Sequence, residues 1–378
     1  MDDWVREAAA RIAERAERDL DALVAVSSPS GDVAGAEECV AVVGALAPVE
    51  AAVQRLPCSS PGHADDLLLR LTGGGERRLL LLGHLDTVID HGSHRPLERD
   101  GDRLVGSGAV DMKGGDVLAL GVLQALAGRR ADFAEAALLL VCDEEWRSAP
   151  FRHADAFAGW DACLCFEAGQ RTAAGDEAVI VRRKAAATLR VTATGRAAHS
   201  GSAPDRGRNA LLALAAAAQA VAAAHAPDGP DALTAVPTIV RSGEAFNVVP
   251  ADGELFCDLR SLRTDAFEEV RALVPAEVGG ATLTAEFPRL WPAMDTRERS
   301  APLLAAAGDL LGRPVVAAGR GGASDASHFA PAIPLTIDGL GPRGGGAHAS
   351  DEYVLADSLR SRAEVALALA AAVLAGAA

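Results

Sequence analysis

Histidine and carboxylate side chains recur at the ends of apolar segments and in glycine-rich loops of this sequence. Seven of them could act together, namely His84 and Asp86 in RRLLLLGHLD, Asp111 in GSGAVDMKGGD, Glu144 and Glu145 in AALLLVCDEE, Glu167 in LCFEAGQ, and His348 in GPRGGGAHASDEYV. Carboxylates that converge on one place repel one another unless cations compensate them. Two histidines and three carboxylates offer mixed nitrogen and oxygen ligands that suit a divalent metal such as zinc. A carboxylate left over could take a proton from water that the metal activates.

His84 and Asp86 are separated by one residue where an apolar run ends. In an extended segment, residues i and i+2 point to the same side of the strand. Both side chains are therefore expected to face one site.

Short apolar strands and helices must position these residues. Strands are predicted at LLLRLTG, RRLLLLGH and AALLLVCDEE, and helices at the N-terminus, near residues 33–46 and in GGDVLALGVLQALAG. Alternation of this kind predicts an α/β fold with a mixed, mostly parallel sheet flanked by helices. In such sheets the working residues lie at the carboxyl ends of the strands, which is where His84, Glu144 and Glu145 fall.

The middle of the chain has a different organisation. The segments KAAATLRVTATGR, RNALLALAAAAQAVAAAH, ALTAVPTIVRSG, NVVPADGELFCDLRS, RTDAFEEVRALVPAEV and ATLTAEFPRL predict the order βαββαβ. This order forms a two-layer unit that is complete in itself. We therefore predict a discontinuous catalytic domain over residues 1–182 and 292–378, with an inserted domain over residues 183–291.

Composition excludes several classes of partner. The chain has 378 residues, 49% of them apolar, and a formal net charge of −16. This charge argues against nucleic acid or an anionic membrane as a partner, and no apolar run approaches the roughly 20 residues that a membrane span needs. The N-terminal segment lacks the basic-then-apolar order of a secretory signal. The six scattered cysteines fit reduced thiols, so a cytoplasmic protein is predicted.

The segments GHLDTV, GSGAVDMKGG, DEE, FEAGQ and GGGAHASDEYV, in this order, resemble the signature segments of the M20 metallopeptidases. The resemblance covers essentially the whole chain and is nearest the glutamate carboxypeptidase branch. It implies two zinc ions per subunit, with cobalt or manganese as possible substitutes. One ion would be held by His84, Asp111 and Glu167, and the other by Asp111, Glu145 and His348.

The same resemblance implies roles for the remaining residues. Glu144 would be the general base and then the acid, and Asp86 would orient His84. The peptide after Asp111 would be cis. In the inserted domain, which would serve as a lid and join two subunits in a homodimer, His199 would reach the reacting carbonyl, in its own or the partner subunit's site. Substrate contacts are implied for Asn247 in FNVVP, Arg260 in CDLR and Ser324 in GGASDA.

The resemblance implies a carboxypeptidase-type amidohydrolase that removes a C-terminal amino acid from a small peptide, with glutamate or folate-like substrates as candidates. The alternative is a deacylase of N-acyl amino acids, of the acetylornithine deacetylase or aminoacylase kind. A remote alternative is a non-catalytic, zinc-dependent binding protein, although every ligand position and the base are filled.

Two departures from the pattern of the branch bear on substrate specificity. WPAM stands at 291–294 where the branch has Arg-Pro-Ala-Phe, which argues against a glutamate preference, and Trp146 and Arg147 are bulkier than usual. These two side chains either shape the pocket or pack at a loop.

Overall fold

The chain divides into two compact units in a computed structural model that describes residues 1–377. The larger unit comprises Met1–Arg182, Met294–Arg320 and the segment from Ser324 onward. The smaller unit comprises Arg183–Ala293 and Gly321–Ala323.

Eight α-helices lie along the described chain, and capping side chains explain where some of them begin. They are α1 (Asp3–Val24), α2 (Val33–Leu46), α3 (Gly114–Ala127), α4 (Ala210–Ala223), α5 (Ala266–Ala272), α6 (Arg297–Leu311), α7 (Ala326–Phe329) and α8 (Ala356–Leu374). Asp32 accepts a hydrogen bond from Gly35 N at 2.7 Å and so caps α2. Asn209 caps α4 in the same way, because a side-chain oxygen can satisfy a backbone N–H that the first turn leaves unpaired.

The strands have between two and eleven residues. In chain order they are β1 (Ala52–Leu56), β2 (Asp66–Thr72), β3 (Arg78–His84), β4 (Glu98–Asp100), β5 (Arg103–Val105), β6 (Glu135–Val141), β7 (Ala162–Cys165), β8 (Gln170–Arg171), β9 (Glu177–Arg183), β10 (Ala185–Thr194), β11 (Ala198–His199), β12 (Thr234–Ser242), β13 (Val248–Val249), β14 (Asp252–Ser261), β15 (Glu277–Val278), β16 (Ala281–Trp291), β17 (Met294–Asp295), β18 (Val315–Arg320), β19 (Thr336–Ile337), β20 (Gly344–Gly345) and β21 (Tyr353–Leu355).

A six-stranded sheet in the order β1-β2-β6-β3-β7-β19 forms the centre of the larger unit. Strands β6, β3, β7 and β19 run parallel to one another, whereas β1–β2 and β2–β6 are antiparallel pairs. The predicted mixed, mostly parallel sheet is thus confirmed.

The leucine run of β3 follows from its central place in this sheet. Leu79 and Leu81 pack into one core with residues of α1, α3 and α8. Leu80 and Leu82 point to the other face and pack with Phe157 and other apolar side chains. Because successive residues of a strand point to opposite faces, a strand covered on both faces is apolar throughout.

The smaller unit has a five-stranded antiparallel sheet in the order β12-β14-β10-β16-β15. Helices α4 and α5 cover it, with Leu214, Val221 and Phe267 in the shared core. Its main elements follow one another as βαββαβ. Within residues 1–377, no helix has both the length and the apolar character that crossing a membrane requires.

Candidate active site

Three parallel strands of the central sheet end side by side, and the predicted metal ligands follow these ends. Strand β3 ends on His84, which lies opposite Val141 of β6, three residues before Glu144. Leu82 of β3 lies opposite Cys165 of β7, two residues before Glu167. The carboxyl ends of parallel strands meet at one edge of the sheet, which is why segments so far apart in sequence bring their polar residues together.

Five of the predicted residues form one cluster around Asp111. Oδ1 of Asp111 lies 3.2 Å from His84 Nε2, and Oδ2 lies 3.2 Å from His348 Nε2. His84 Nε2 is also 3.8 Å from Glu167 Oε1, and His348 Nε2 is 3.4 Å from Glu145 Oε2. The cluster therefore consists of two groups of three side chains that share the carboxylate of Asp111.

The chemistry of these donors fits divalent cations. His84, Asp111 and Glu145 each offer a ligand atom, and these atoms lie within 4.8 Å of one another. Imidazole nitrogens with carboxylate oxygens are the donors that zinc accepts. The two carboxylate oxygens of Asp111 face two different imidazoles, so this side chain is shared by both groups of the cluster.

A second group of possible ligands is already satisfied by protein contacts. Cys58, Asp66 and Asp143 are buried and close together. Asp66 Oδ2 lies 2.7 Å from His153 Nε2, and Asp143 accepts a hydrogen bond from Arg147 Nη2 at 2.8 Å. Burial raises the pKa of the Cys58 thiol, which disfavours the thiolate that binds metals. We assign no metal to this group.

The electrostatics of the cluster are complementary. Burial disfavours a charged imidazole at His84, but Asp111 and Asp86 outweigh it and raise the pKa of His84 well above its ordinary value. Hydrogen bonds to Asp111 and Glu145 raise the pKa of His348 to about 10. Burial opposes ionisation of Asp111, yet His348 and His84 hold the pKa of Asp111 below its usual range. The carboxylates thus create a field that favours positive charge at both histidines.

Asp86 supports three residues of the site. His84 Nδ1 lies 3.0 Å from the carbonyl oxygen of Asp86 and 3.4 Å from its carboxylate. The two carboxylate oxygens also accept hydrogen bonds from the backbone nitrogens of Glu144 and Glu145, each at 3.1 Å. Asp86 thus orients His84 chiefly through its backbone, while its carboxylate holds the glutamate pair.

Glu144 is placed to exchange protons. The residue is partly exposed, whereas Glu145 is buried. Desolvation raises the pKa of the Glu144 carboxyl well above its ordinary value, and Asp325 and Glu145 add to this effect although His84 opposes it. A carboxyl whose pKa lies nearer neutrality is a better proton acceptor and donor at working pH.

Glu352 was missed by the sequence-based prediction, although it lies in the same segment as His348. Its buried carboxylate accepts hydrogen bonds from the backbone nitrogens of Gly108, Val110 and Asp111 at 2.8–2.9 Å. Burial raises the pKa of Glu352 to about 7, against the effect of these donors. Glu352 therefore fixes the loop that presents Asp111, in which the Asp111–Met112 peptide is cis, as predicted.

We expect Glu352→Gln to weaken metal binding by about 10- to 100-fold, since residues that orient ligands typically contribute this much. One amide oxygen cannot accept all three hydrogen bonds, and the amide NH2 would face backbone donors, which should also cost about 1–3 kcal/mol of unfolding free energy. Zinc titration and thermal unfolding measure the two effects. Asp351→Asn, at the exposed neighbouring position, is the matched control. Unchanged zinc affinity in Glu352→Gln would contradict the assigned role.

The Arg147 side chain is buried in the protein and does not line an open pocket beside the glutamate pair. The guanidinium is buried between Asp143 and Asp325, with Nη2 at 2.8 Å from Asp143 Oδ1 and 2.7 Å from Asp325 Oδ2. It also lies over the ring of Phe151, 4.7 Å from the centroid. Of the two roles that the sequence left open for Arg147, packing is the one observed.

Three predicted residues lie in the smaller unit, and the segments that carry two of them, His199 and Asn247, are hydrogen-bonded to each other. His199 in β11 pairs with Val248 in β13, and Ser200 N donates to Asn247 O at 2.9 Å. Nδ1 of His199 accepts hydrogen bonds from the backbone nitrogens of Gly201 and Ser202, both at 3.1 Å. In a neutral imidazole the other nitrogen then carries the proton, so Nε2 of this exposed histidine is a donor.

Arg260 and Ser324 both have partners within the protein. The Arg260 guanidinium pairs with Asp258, with Nη2 and Oδ1 3.1 Å apart. Ser324, in the larger unit, is fully buried, and its hydroxyl accepts a hydrogen bond from Ala326 N at 3.2 Å. A direct contact of Ser324 with substrate would require this segment to move.

The fold and the cluster together define a class of enzyme. Residues 80–372 match the sequence profile of peptidase family M20/M25/M40, and the chain belongs to this family of metal-dependent hydrolases. It is 29% identical over 359 residues to carboxypeptidase G2 of Pseudomonas sp. (strain RS-16), covering 89% of this chain and 83% of that protein.

Solved structures show the same fold. Aminopeptidase PepT of Bacillus cereus aligns with a TM-score of 0.74 at 18% identity, over 94% of this chain and 97% of that chain. An M20 family metallo-carboxypeptidase of Sulfolobus solfataricus aligns with a TM-score of 0.68 at 15% identity, over 93% and 97%. This protein is accordingly an M20 metallopeptidase or amidohydrolase.

Proposed function

We propose that this protein is a di-zinc amidohydrolase that removes a C-terminal amino acid from a small peptide or an N-acylated amino acid. The observation that carries the proposal is the position of Asp111, whose two carboxylate oxygens each lie 3.2 Å from a different histidine nitrogen. In this proposal His84, Asp111 and Glu167 hold one ion, and Asp111, Glu145 and His348 hold the other.

The chain's own residues supply the proton transfers. When bound, divalent metal ions lower the pKa of water and polarise a carbonyl. Glu144 would take the proton from the attacking water and deliver it to the leaving nitrogen. Asp86 holds the backbone of Glu144, so the base has little freedom to move away from the substrate. Glu352 keeps Asp111 in place during the reaction.

The smaller unit is proposed to act as a lid and to help bind substrate. The Nε2–H of His199 suits an oxyanion, because a donor aimed at developing negative charge stabilises the transition state. Arg260 could receive a substrate carboxylate in place of Asp258, since the pair is half-exposed and an ion pair in contact with solvent contributes at most about 1 kcal/mol. The roles of His199, Asn247 and Arg260 stay predictions.

Hydrolysis of a mixed panel with added zinc tests the proposed function. Dipeptides and N-acyl amino acids with acidic, basic, aromatic and small C-terminal residues separate a carboxypeptidase from a deacylase. Preference for dipeptides over N-acetyl amino acids supports the carboxypeptidase. The reverse supports the deacylase. Zinc binding without hydrolysis of any member of the panel would favour the non-catalytic binding protein.

We further propose that the smaller unit joins two copies of the chain. Strand β12 lies at the end of its sheet, and an open strand edge is a ready pairing surface. Val236, Ile239 and Val240 of β12 are exposed, as are Leu211 and Leu212 of α4. An exposed apolar strand edge beside an exposed apolar helix fits a two-fold interface, the commonest arrangement of homo-oligomers.

We expect the double change Leu212→Glu and Val240→Lys to convert a dimer into a monomer, because it places charges on the two most exposed apolar positions of this surface, at 63% and 55% exposure. Sedimentation velocity measures the mass. Val53→Lys is the control, since Val53 is equally exposed, at 58%, but lies on β1 in the larger unit. A wild-type protein that sediments as a monomer at micromolar concentration would rule the interface out.

A further inference from the structure

Arg362 of α8 is a fully buried cation in the larger unit, with none of its surface exposed. Burying a charge is costly unless the charge is paired and its hydrogen bonds are satisfied. Nη1 of Arg362 donates to Glu177 Oε2 at 2.9 Å and to Ala178 O at 3.0 Å. A guanidinium has three kinds of nitrogen donor, so this ion pair leaves Nε and Nη2 for other partners.

The other two nitrogens bind the backbone that follows β19. Nε of Arg362 donates to Gly341 O at 3.2 Å, and Nη2 donates to Gly339 O. Because the guanidinium is planar and rigid, it fixes the two carbonyl groups relative to each other. Arg362 therefore determines the position of the segment 339–341.

The segment 339–341 in turn holds the backbone of Glu167, one of the residues of the metal cluster. Gly341 N donates to Glu167 O at 2.8 Å, and Leu340 N donates to Cys165 O at 3.1 Å. The two segments approach closely, because a Cβ atom added to Gly341 would lie 2.8 Å from Glu167 O. A shift of the segment 339–341 would therefore move the backbone of Glu167.

Arg362 also lies against the loop that follows Glu167. A Cβ atom added to Gly169 would lie 2.6 Å from Arg362 Nε. Gly169 N donates to Pro342 O at 2.9 Å, one residue beyond the carbonyl group that Nε binds. The loop is thus held at Glu167 and again two residues later, and Arg362 contributes to both contacts.

We propose that Arg362 is a positioning residue for Glu167: its guanidinium fixes the segment 339–341, and this segment fixes the backbone from which the Glu167 carboxylate reaches the cluster. The inference rests on the proposed di-zinc site. The carboxylate lies 3.8 Å from His84 Nε2, and metal–ligand distances are defined to within about 0.2 Å. A small displacement of Glu167 is therefore enough to weaken the ion that it binds.

Arg362→Lys tests the proposal, because lysine keeps the charge beside Glu177 but lacks the planar set of donors that holds both carbonyl groups. We expect the affinity for one of the two zinc ions to fall by about 10- to 100-fold, the usual effect of losing a residue that orients a ligand. The affinity for the other ion should stay unchanged. Zinc titration of the metal-free protein, in competition with a chromophoric chelator, measures both affinities.

Glu177→Gln is the matched control. It removes the charge of the ion pair but keeps the guanidinium and its hydrogen bonds to the segment 339–341, so it should lower the unfolding temperature without changing zinc affinity. Zinc affinity that falls with stability in both variants would show a merely structural role and overturn the proposal. If Arg362→Lys does not fold, Arg362→Met combined with Glu177→Gln takes its place, because that pair of changes leaves neither charge of the ion pair unmatched.

A double-mutant cycle identifies the ligand through which Arg362 acts, since coupled residues have non-additive effects. In a Glu145→Gln background, the remaining zinc ion depends on Glu167, and Arg362→Lys should lower its affinity by the same factor. In a Glu167→Gln background, the remaining ion does not depend on Glu167, and Arg362→Lys should change nothing. Equal losses in the two backgrounds, or unchanged zinc affinity in Arg362→Lys itself, would refute the role of Arg362.

The titrations use zinc alone, so they separate this inference from the proposed hydrolysis. If the coupling between Arg362 and Glu167 is found but no member of the substrate panel is hydrolysed, only the hydrolytic proposal fails. If the panel is hydrolysed but the coupling is absent, only the positioning role of Arg362 fails.

Discussion

Glu144→Gln is expected to lower kcat by about 10²- to 10⁴-fold while zinc content stays unchanged. The amide keeps the shape of the side chain and the backbone hydrogen bond to Asp86, but it cannot accept the proton of the attacking water. General acid–base catalysis typically contributes a factor of this size. Steady-state kinetics on the best substrate of the panel, with zinc measured on the same preparation, checks both parts of the expectation.

Glu145→Gln is the matched control, since it makes the same chemical change at the adjacent position. The carboxylate of Glu145 lies 3.4 Å from His348 Nε2, so its loss should lower zinc content or affinity. Excess zinc should then restore part of the activity of Glu145→Gln and none of the activity of Glu144→Gln. Near-normal turnover in Glu144→Gln would move the base to another residue.

Arg147→Met is expected to lower the free energy of unfolding by about 3–5 kcal/mol, the usual cost of removing one partner of a buried ion pair. Two carboxylates, Asp143 and Asp325, would keep their burial and lose their cation. Denaturant unfolding at neutral pH measures the loss. Arg6→Met is the comparison, because Arg6 pairs with Asp3 at the surface and its replacement should change stability little.

The pH dependence gives a second check on the same pair. Burial opposes ionisation of Asp325, but Arg147 holds the pKa of Asp325 below its usual range. A depressed pKa contributes stability above the unfolded-state pKa, and this contribution is lost as pH falls through the folded-state pKa. The difference between wild type and Arg147→Met should therefore shrink at acidic pH. Adding Asp143→Asn and Asp325→Asn to Arg147→Met should recover part of the stability at neutral pH, and a further large loss would contradict the explanation.

Local patterns were enough to predict much of the fold and the cluster. Helix α2 has the predicted bounds of 33–46, and β3 ends on His84 where the leucine run stops. These features depend on periodicity and on short motifs, which a single segment contains. The order of the motifs along the chain then indicated the family, and with it the residues that meet at Asp111.

Local sequence patterns could not predict the contacts between segments that are far apart along the chain. Glu352 holds a loop more than 240 residues away, and Arg147 pairs with Asp325 across 178 residues. Nothing in the segment around either residue specifies its partner. The burial of Ser324 likewise depends on how its segment packs near Cys165. The substrate remains a proposal because loops and exposed side chains, rather than the ligand set, determine the shape of a pocket.

The anchoring of residues 144–147 bears on how such an enzyme can diversify. Asp86 holds the backbone of Glu144 and Glu145, and Arg147 is buried in an ion pair with Asp325. Substitutions at these positions are therefore strongly constrained. Trp146, between them, is 54% exposed, and within residues 1–377 it makes no hydrogen bond or ring contact. A substitution at position 146 therefore leaves the hydrogen bonds and ion pairs of the neighbouring residues in place, so this position can vary in evolution while the residues on either side of it stay fixed.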